Sequence, residues 1–557
     1  MSGKTQGQGT RLRLGDRLMA EGLITREELT VALAEQERAH RPLGEILVSL
    51  GFTPAENVAR LIAEDLGLRF LRASDVRPDP LLASAVDAAF VHATLAFPVA
   101  LKDGMLRVVM VDPDDPRKVA AVRERFPYPL SLALTTEADL IELARTHLSR
   151  QADRLAEVFA SLNELADFPV ERATDALFED AIHRGATDIH IEPDERVTRV
   201  RYRIDGILTA AESLPNDATP AIVSRIKILA GLDISERRRP QDGRIRITID
   251  ERNVDLRVSV MPVADGENVV LRILDRAAGP LNLGALGVAP DYERVLRRVA
   301  DKSHGLFLVT GPTGSGKTTT LYAMLSEVDA MHRSVATIED PVEYRLPLLR
   351  QSQVDRSVGF GFREGLRSLL RQDPDVILIG EIRDRETADM AIKASMTGHL
   401  VFSTLHTNSA TGAIPRLCDL GLDAYLIEDS LIGVLGQRLV RKVCRFCAEP
   451  VVPTEEDQGW LGAEVDALSV GRGCERCGGT GFRGRTAMAE LFLPDDETGS
   501  ILKGGVDAGE LMRLARERGF RSLTDDGRRL VRSGVTTRAE VERVHSVHRF
   551  LRGEIQT

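Results

Sequence analysis

The sequence predicts a multidomain α/β protein, and three observations carry that reading. Residues 305–310 are an apolar, β-prone run leading into a glycine-rich octapeptide, Gly311-Pro-Thr-Gly-Ser-Gly-Lys-Thr318, with a helical pattern behind it. Strand, loop and helix in that order open a parallel-sheet core. Upstream, Val200, Tyr202 and Ile204 alternate with Arg199, Arg201 and Arg203. Ile245, Ile247 and Ile249 alternate likewise, followed by Val254, Leu256, Val258 and Val260. This two-residue period predicts antiparallel strands with one apolar and one polar face, and Asp205-Gly206 predicts a hairpin turn. Near the start, Arg13-Leu14-Gly15, Leu18, Gly22, Leu29, Leu33 and Gln36 recur 29 positions later as Pro42-Leu43-Gly44, Leu47, Gly51, Val58, Ile62 and Asp65. Each copy reads as a short helix, a turn at glycine, and a second helix capped by Thr25 or Thr53.

At 557 residues the chain has room for three or four domains. The expected boundaries are 1–70 for the helical repeat and 71–150 for a small α/β unit with Met105–Val111 as strand and Asp139–Leu148 as helix. A linker at 151–168, the antiparallel unit at 169–277 and a second linker at 278–290 follow, then an α/β core over 291–557. That core carries a cysteine-rich insert at 440–488 and a helical tail, where Thr537-Arg-Ala-Glu540 reads as a capping box.

Composition removes several classes. Asp and Glu number 84 against 73 Lys and Arg, a net charge of −11 that speaks against a nucleic-acid partner bound by phosphate neutralisation. No stretch reaches the ~18 apolar residues of a membrane span, and residues 1–10 are polar, so a cytoplasmic protein, or one attached to a membrane through a partner, is expected. Four of the five cysteines fall in two CxxC pairs, a metal pattern in that setting.

The octapeptide predicts a nucleoside triphosphate site. Gly311, Gly314 and Gly316 allow the tight turns that aim backbone N–H groups at phosphate, with Pro312, Thr313 and Ser315 between them. Lys317 is expected at the β/γ-phosphates and Thr318 on Mg²⁺, with Thr319 beside it on the first helical turn. Asp373-Pro-Asp-Val-Ile-Leu-Ile-Gly-Glu381 is an apolar strand ending in an acid, which makes Glu381 the candidate base for an attacking water. Glu339 and Asp340 follow another β-prone run and offer acids near the metal. His399 and His406 flank the strand in Thr397–Asn408; either could sense the γ-phosphate, and either could be a structural histidine. Arg367 and Arg371, four apart, are a source of transition-state charge or a solvated helix face. Cys444-Arg-Phe-Cys447 and Cys474-Glu-Arg-Cys477 fit a closed tetrahedral Zn²⁺ site, with Gly471, Gly473, Gly478 and Gly479 suited to its turns, whereas Cys418 reads as a small buried hydrophobe.

Together these motifs resemble the secretion and pilus-assembly ATPases, and within them the type II secretion (GspE-like) group. The resemblance rests on the phosphate loop at 311–318, the acidic segment 337–344, the strand and acids of 370–383 and the histidine segment 397–408. Ala186-Thr-Asp-Ile-His-Ile-Glu-Pro193, Arg201-Tyr-Arg-Ile-Asp-Gly206 and Arg239-Pro-Gln-Asp-Gly-Arg244 extend it upstream. It implies a RecA-like P-loop NTPase core preceded by a PAS-like α+β half. It further implies a homo-hexamer driving pseudopilus assembly against inner-membrane platform proteins, with peripheral attachment at that membrane. In such enzymes arginines of the first half approach the phosphates; the matching positions are Arg257 and Arg272. Arg367, Arg371 and Glu381 also fall on family positions, and the tetracysteine insert is a family feature.

The N-terminal repeat is similar to a cyclic-di-GMP-binding module found on some of these ATPases. Arg13, Leu14, Gly15 and Gln36 of the first copy, with Leu43 and Gly44 of the second, then become ligand candidates, and Asp112 a further one. The second copy departs at Pro42 and Asp65, where the pattern has arginine and glutamine, so half the site lacks its guanine and phosphate partners. The alternative is a repeat that only packs helices or docks a membrane partner. For the whole chain, a type IV pilus extension ATPase shares every motor motif. A DNA translocase is disfavoured by the acidic balance, and a receptor with vestigial chemistry by the intact Lys317, Thr318 and Glu381.

Overall fold

The computed structural model describes residues 13–147, 170–275, 282–495 and 508–545, apart from positions 40, 84, 87, 103, 250 and 251. The expected linker at 151–168 lies outside the described residues. The chain divides into two compact units, residues up to 184 with 214–228 and 248–251, and residues 185–213, 229–247 and 252 onward. That division runs through the segment expected to be one antiparallel domain. The helix Val170–His183 falls in the first unit, and the strands fall almost wholly in the second.

In the first unit the repeat forms two helical hairpins, α1 (Leu14–Ala20) with α2 (Arg26–Ala39) and α3 (Leu43–Ser49) with α4 (Ala55–Leu66). Thr25 caps α2 as expected, taking the Glu28 amide at 3.2 Å while the Glu28 carboxylate accepts the Thr25 amide at 2.6 Å. The second copy departs from expectation. Pro54, with φ already at −61°, holds the N-cap position of α4 without a side-chain bond, and Thr53 is buried. Gly15 and Gly44 let the hairpins close on each other. A Cβ on Gly15 would meet Leu29 at 2.6 Å and Leu43 at 3.4 Å, and one on Gly44 would meet Val58 at 2.7 Å and Leu14 at 3.5 Å. The two copies thus exchange equivalent contacts.

A four-stranded sheet follows, in the order β1-β4-β3-β2, from β1 (Arg69–Phe70), β2 (Ala96–Lys102), β3 (Met105–Met110) and β4 (Leu130–Leu134). Ala59 and Ala63 of α4 pack on Leu134 of β4, so repeat and sheet share a small core.

The second unit holds two large sheets and a two-stranded one. The first has six strands in the order β7-β6-β5-β10-β9-β8: β5 (Ala186–Pro193), β6 (Val197–Ile204), β7 (Ile207–Pro215), β8 (Gln241–Ile249), β9 (Arg252–Val263) and β10 (Gly266–Asp275). Asp205 and Gly206 turn the β6–β7 hairpin at φ of 49° and 85°, the paired left-handed geometry that an Asp-Gly turn adopts. The second has seven strands in the order β13-β12-β14-β15-β11-β16-β19. These are β11 (Gly305–Thr310), β12 (Val335–Glu339), β13 (Arg350–Gln353), β14 (Val376–Ile379), β15 (Leu400–Leu405), β16 (Leu431–Val443) and β19 (Phe482–Phe492), all parallel except β19. Every residue of β11, β14 and β15 is buried, as continuous apolar runs covered on both faces must be.

Residues 282–290, expected as linker, are packed instead. Leu283, Leu286, Val288 and Ala289 are buried in the core with Leu296 and Phe307, because four apolar side chains in this short stretch gain more from burial than from exposure. The insert carries the hairpin β17 (Ala448–Val451) and β18 (Leu468–Gly471). In the tail, the expected capping box at 537–540 is half made. The Glu540 amide donates to Thr537 at 3.3 Å, but the Glu540 carboxylate turns to the Arg441 amide at 3.0 Å and to its guanidinium at 2.8 Å. Among the described residues no helix is long and apolar enough to cross a membrane.

Candidate nucleotide site and cysteine knuckle

β11 delivers the phosphate loop at the carboxyl edge of the parallel sheet, where ligands of α/β folds bind. Gly311, Gly314 and Gly316 have φ of 150°, 78° and 86°, so the left-handed turns fall where the sequence put glycine. Lys317 opens the following helix, Lys317–Leu325, and donates to the loop's own carbonyls, Gly311 O at 2.8 Å and Pro312 O at 3.0 Å. Burial lowers its pKa to about 8, with Glu381 pulling it up and Arg438 pushing it down. The buried Ser315 hydroxyl has no hydrogen-bond partner. A parked lysine, an orphaned hydroxyl and a cradle of backbone amides suit a phosphate chain. Thr318 and Thr319 lie on the first turn of the same helix, partly exposed.

Glu381 follows β14, mostly buried, with Arg383 Nε at 2.5 Å and His406 Nε2 at 3.7 Å from its Oε2. Burial first, then Lys317, lowers the His406 pKa below its usual value, so its imidazole is neutral at pH 7. Lys317, Glu381 and His406 therefore form one cluster. His399 is the structural one of the pair, its Nδ1 lying 2.9 Å from Ala394 O.

Other candidates stand differently. Glu339 is buried, and its carboxylate is held by Tyr322, by Thr337 at 2.5 Å and by Gln351 at 3.3 Å, so both oxygens serve the core. Asp340 is partly exposed and pairs with Arg356 at 2.9 Å. Arg367 pairs with Glu386 at 2.9 Å, and Arg371, in the turn past the helix Phe362–Leu369, donates to Arg367 O, so both are exposed. On the six-stranded sheet, Arg257 lies 3.6 Å from Glu343 in the acidic segment, and Arg272 donates to Asp188 at 3.1 Å. Asp188, Asp242, Arg244, Arg257 and Arg272 line a cavity of about 410 Å³.

The four cysteines converge. Their sulfurs lie within 4.8 Å of one another, with Cys444–Cys474 and Cys447–Cys477 at 3.9 Å and Cys474–Cys477 at 3.7 Å. A tetrahedron with ~2.3 Å metal–sulfur arms has edges of ~3.8 Å, so the spacing fits one metal ion with no open position. The Cys477 thiol is lowered to about 6; amides of Cys474 and Gly481 outweigh the burial that opposes this. Cys418, expected to be buried, is only partly so, packed against the edge of the core.

In the repeat, Arg13 is exposed, Gln36 donates to Arg41 O at 3.0 Å, and Leu14 and Leu43 are partly buried against the helix core. Asp112 is paired with Lys118. Arg17, which sequence reasoning passed over, joins the hairpins through Glu64 at 2.8 Å and Asp65. Also missed were Asp188, Arg383, and the pair Gln437 and Arg438. A Gln-Arg dipeptide inside the apolar run Leu431–Val440 was the available signal.

Fold and site together define a P-loop ATPase. The profile described as "Type II/IV secretion system protein" matches residues 163–543, and the chain belongs to that family. A second profile, the MshEN domain, matches residues 66–154. The type II secretion system protein E of Pseudomonas aeruginosa is 48% identical over 71% of this chain and 80% of its own length. The type IV pilus assembly ATPase PilB of Thermus thermophilus is 38% identical over 95% of this chain and 65% of its own. Among solved structures, the ATPase DotB of Yersinia pseudotuberculosis shares the fold, with a TM-score of 0.50 at 20% identity over 67% of this chain and 92% of that one.

Proposed function

We propose that this ATPase powers pseudopilus assembly and protein export in a type II secretion machine, working as a homo-hexamer against inner-membrane platform proteins. The 48% identity to a type II secretion relative carries the choice of machine. The pilus extension reading is the second, favoured by the PilB relative that spans nearly the whole chain.

In this reading the loop amides of 311–316 and Lys317 hold the β/γ-phosphates, and Thr318 ligates Mg²⁺, which supplies charge neutralisation of the triphosphate. Glu381 orients the attacking water and takes its proton, with Arg383 and His406 fixing the carboxylate. Arg257 and Arg272 bring cationic charge from the six-stranded sheet, and Arg367 and Arg371 add charge from the helix face. Glu339 supports the site from the core, and Asp340 lies nearer solvent. Zn²⁺ is the ion for the four thiols, where it staples the insert. Cyclic-di-GMP is the regulator we assign to the N-terminal region, a reading supported by the repeat and by the MshEN match beside it. Attachment at the inner membrane would be peripheral, through the platform, and no nucleic acid is needed.

Reconstitution tests the machine. Phosphate release should rise several-fold when the purified chain meets its type II platform proteins in membranes, and stay flat with pilus platform proteins. The reverse pattern selects the pilus reading.

A further inference from the structure

Two side chains of β16 reach the nucleotide site, and neither belongs to a motif the sequence singled out. β16 pairs with β11 so that Gly436 lies opposite Thr310, which brings Gln437 alongside Gly311. Gln437 is 1% exposed. Its Nε2 donates to Ser315 O at 2.8 Å, and its Oε1 accepts from Thr320 Oγ1 at 2.7 Å. One amide thus ties the middle of the phosphate loop to the helix behind it. The fit is close, since a Cβ on Gly311 would meet Gln437 O at 2.4 Å and one on Gly316 would meet its Nε2 at 2.8 Å.

Arg438 points to the neighbouring loop. It is 8% exposed, and its two terminal nitrogens donate to Gln437 O at 3.1 Å and to Asn408 O at 3.0 Å. Asn408 stands two residues past His406. From β19 the buried Glu490 accepts the Ala410 amide at 2.6 Å and the Leu523 amide at 3.0 Å, so the same loop is gripped from a second strand. Arg438 also adds positive charge near Lys317.

We propose that Gln437 and Arg438 are positioning residues for ATP hydrolysis, Gln437 holding the phosphate loop in its anion-binding shape and Arg438 holding the loop that carries His406 beside Glu381. The inference rests on ATP occupying residues 311–318. It separates two kinetic roles. A loop held in shape governs how well ATP is bound, whereas a registered His406 loop governs how well the water is lined up.

Steady-state hydrolysis and binding of a fluorescent ATP analogue test it on the full chain. Gln437→Met keeps the volume and removes the amide, and should raise KM and the analogue Kd by about 10-fold with kcat within about 3-fold of wild type. Arg438→Lys keeps the charge but cannot serve two carbonyls as a fork, and should lower kcat by about 10-fold with KM little changed. In a His406→Ala background the Arg438→Lys effect on kcat should largely vanish. Should Gln437→Met fail to fold, Thr320→Val removes only the hydroxyl that donates to Gln437 and should shift KM the same way. Unchanged kinetics in these variants, additive losses in the Arg438/His406 pair, or KM and kcat moving together with a falling melting temperature would overturn the proposal. Wild type that binds the analogue while Lys317→Ala does not shows the underlying nucleotide reading intact, so the two failures are told apart.

Discussion

At the scale of single residues, the proposed chemistry rests on Lys317 and Glu381. Lys317 is parked on backbone carbonyls, and its partial burial lowers its pKa to about 8. The arriving triphosphate favours the ammonium and raises that value. The sign follows: between pH 8 and 9 ATP binding should draw a proton from solution, and affinity should fall as pH rises through the free-protein pKa. Calorimetry in buffers of different ionisation enthalpy reads the uptake directly, and Lys317→Ala should abolish both uptake and hydrolysis. Glu381 has Arg383 at 2.5 Å and His406 at 3.7 Å, the two side chains we propose fix it for orienting water. The phosphate loop and Glu381 were legible because glycine, lysine and a strand-end acid fall at fixed spacings along the chain. Gln437 and Arg438 were not, because their partners lie on other strands or loops that only the sheet order brings alongside.

At the scale of elements, two local structures are open to direct tests. In the cysteine knuckle three sulfur spacings are 3.7–3.9 Å and all lie within 4.8 Å, as a four-thiolate metal site requires. Cys474→Ser should lose the ion in elemental analysis and unfold the 440–488 insert at a lower temperature, leaving Lys317 and Glu381 untouched. In the tail, burial opposes ionisation of Glu540, yet hydrogen bonds from Arg543 and Arg441 win and hold its carboxyl down to about 2. A depressed folded-state pKa contributes stability that is complete above the ordinary value of 4.5 and is lost as pH falls toward 2. Wild type should therefore exceed Glu540→Gln by up to about 3 kcal/mol at neutral pH, and denaturant titrations should show that gap closing below pH 4. The helix caps show the limits of pattern at this scale. At a step of 29 the counterpart of Thr25 is Pro54, so the second N-cap falls to a proline and Thr53 stands one residue too early to cap. Likewise 278–290 read as a connector, while Leu283, Leu286, Val288 and Ala289 found a core to fill.

At the scale of the whole molecule, the alternating and continuous apolar patterns predicted both large sheets of the second unit, and the repeat predicted the two hairpins. The division of the chain was harder to read, because a helix adjacent in sequence to β5 falls with residues far upstream. The N-terminal region carries the regulatory reading. Gly15 and Gly44 are explained by helix packing alone, whereas exposed Arg13 is not engaged in that core. Calorimetry on the full chain should show cyclic-di-GMP binding that weakens by about 10-fold in Arg13→Ala. Equal affinity in the two proteins, or none in either, removes this regulator from the account.

In the proposed function ATP is held by the loop at 311–318 and cleaved by water aligned at Glu381. Glu381→Gln tests it most directly, by phosphate release and nucleotide retention measured side by side on wild type and variant with magnesium. The account predicts that the variant retains ATP as tightly as wild type while turnover falls at least ~100-fold, because an amide cannot accept the proton of water. A variant that hydrolyses ATP at the wild-type rate would contradict it.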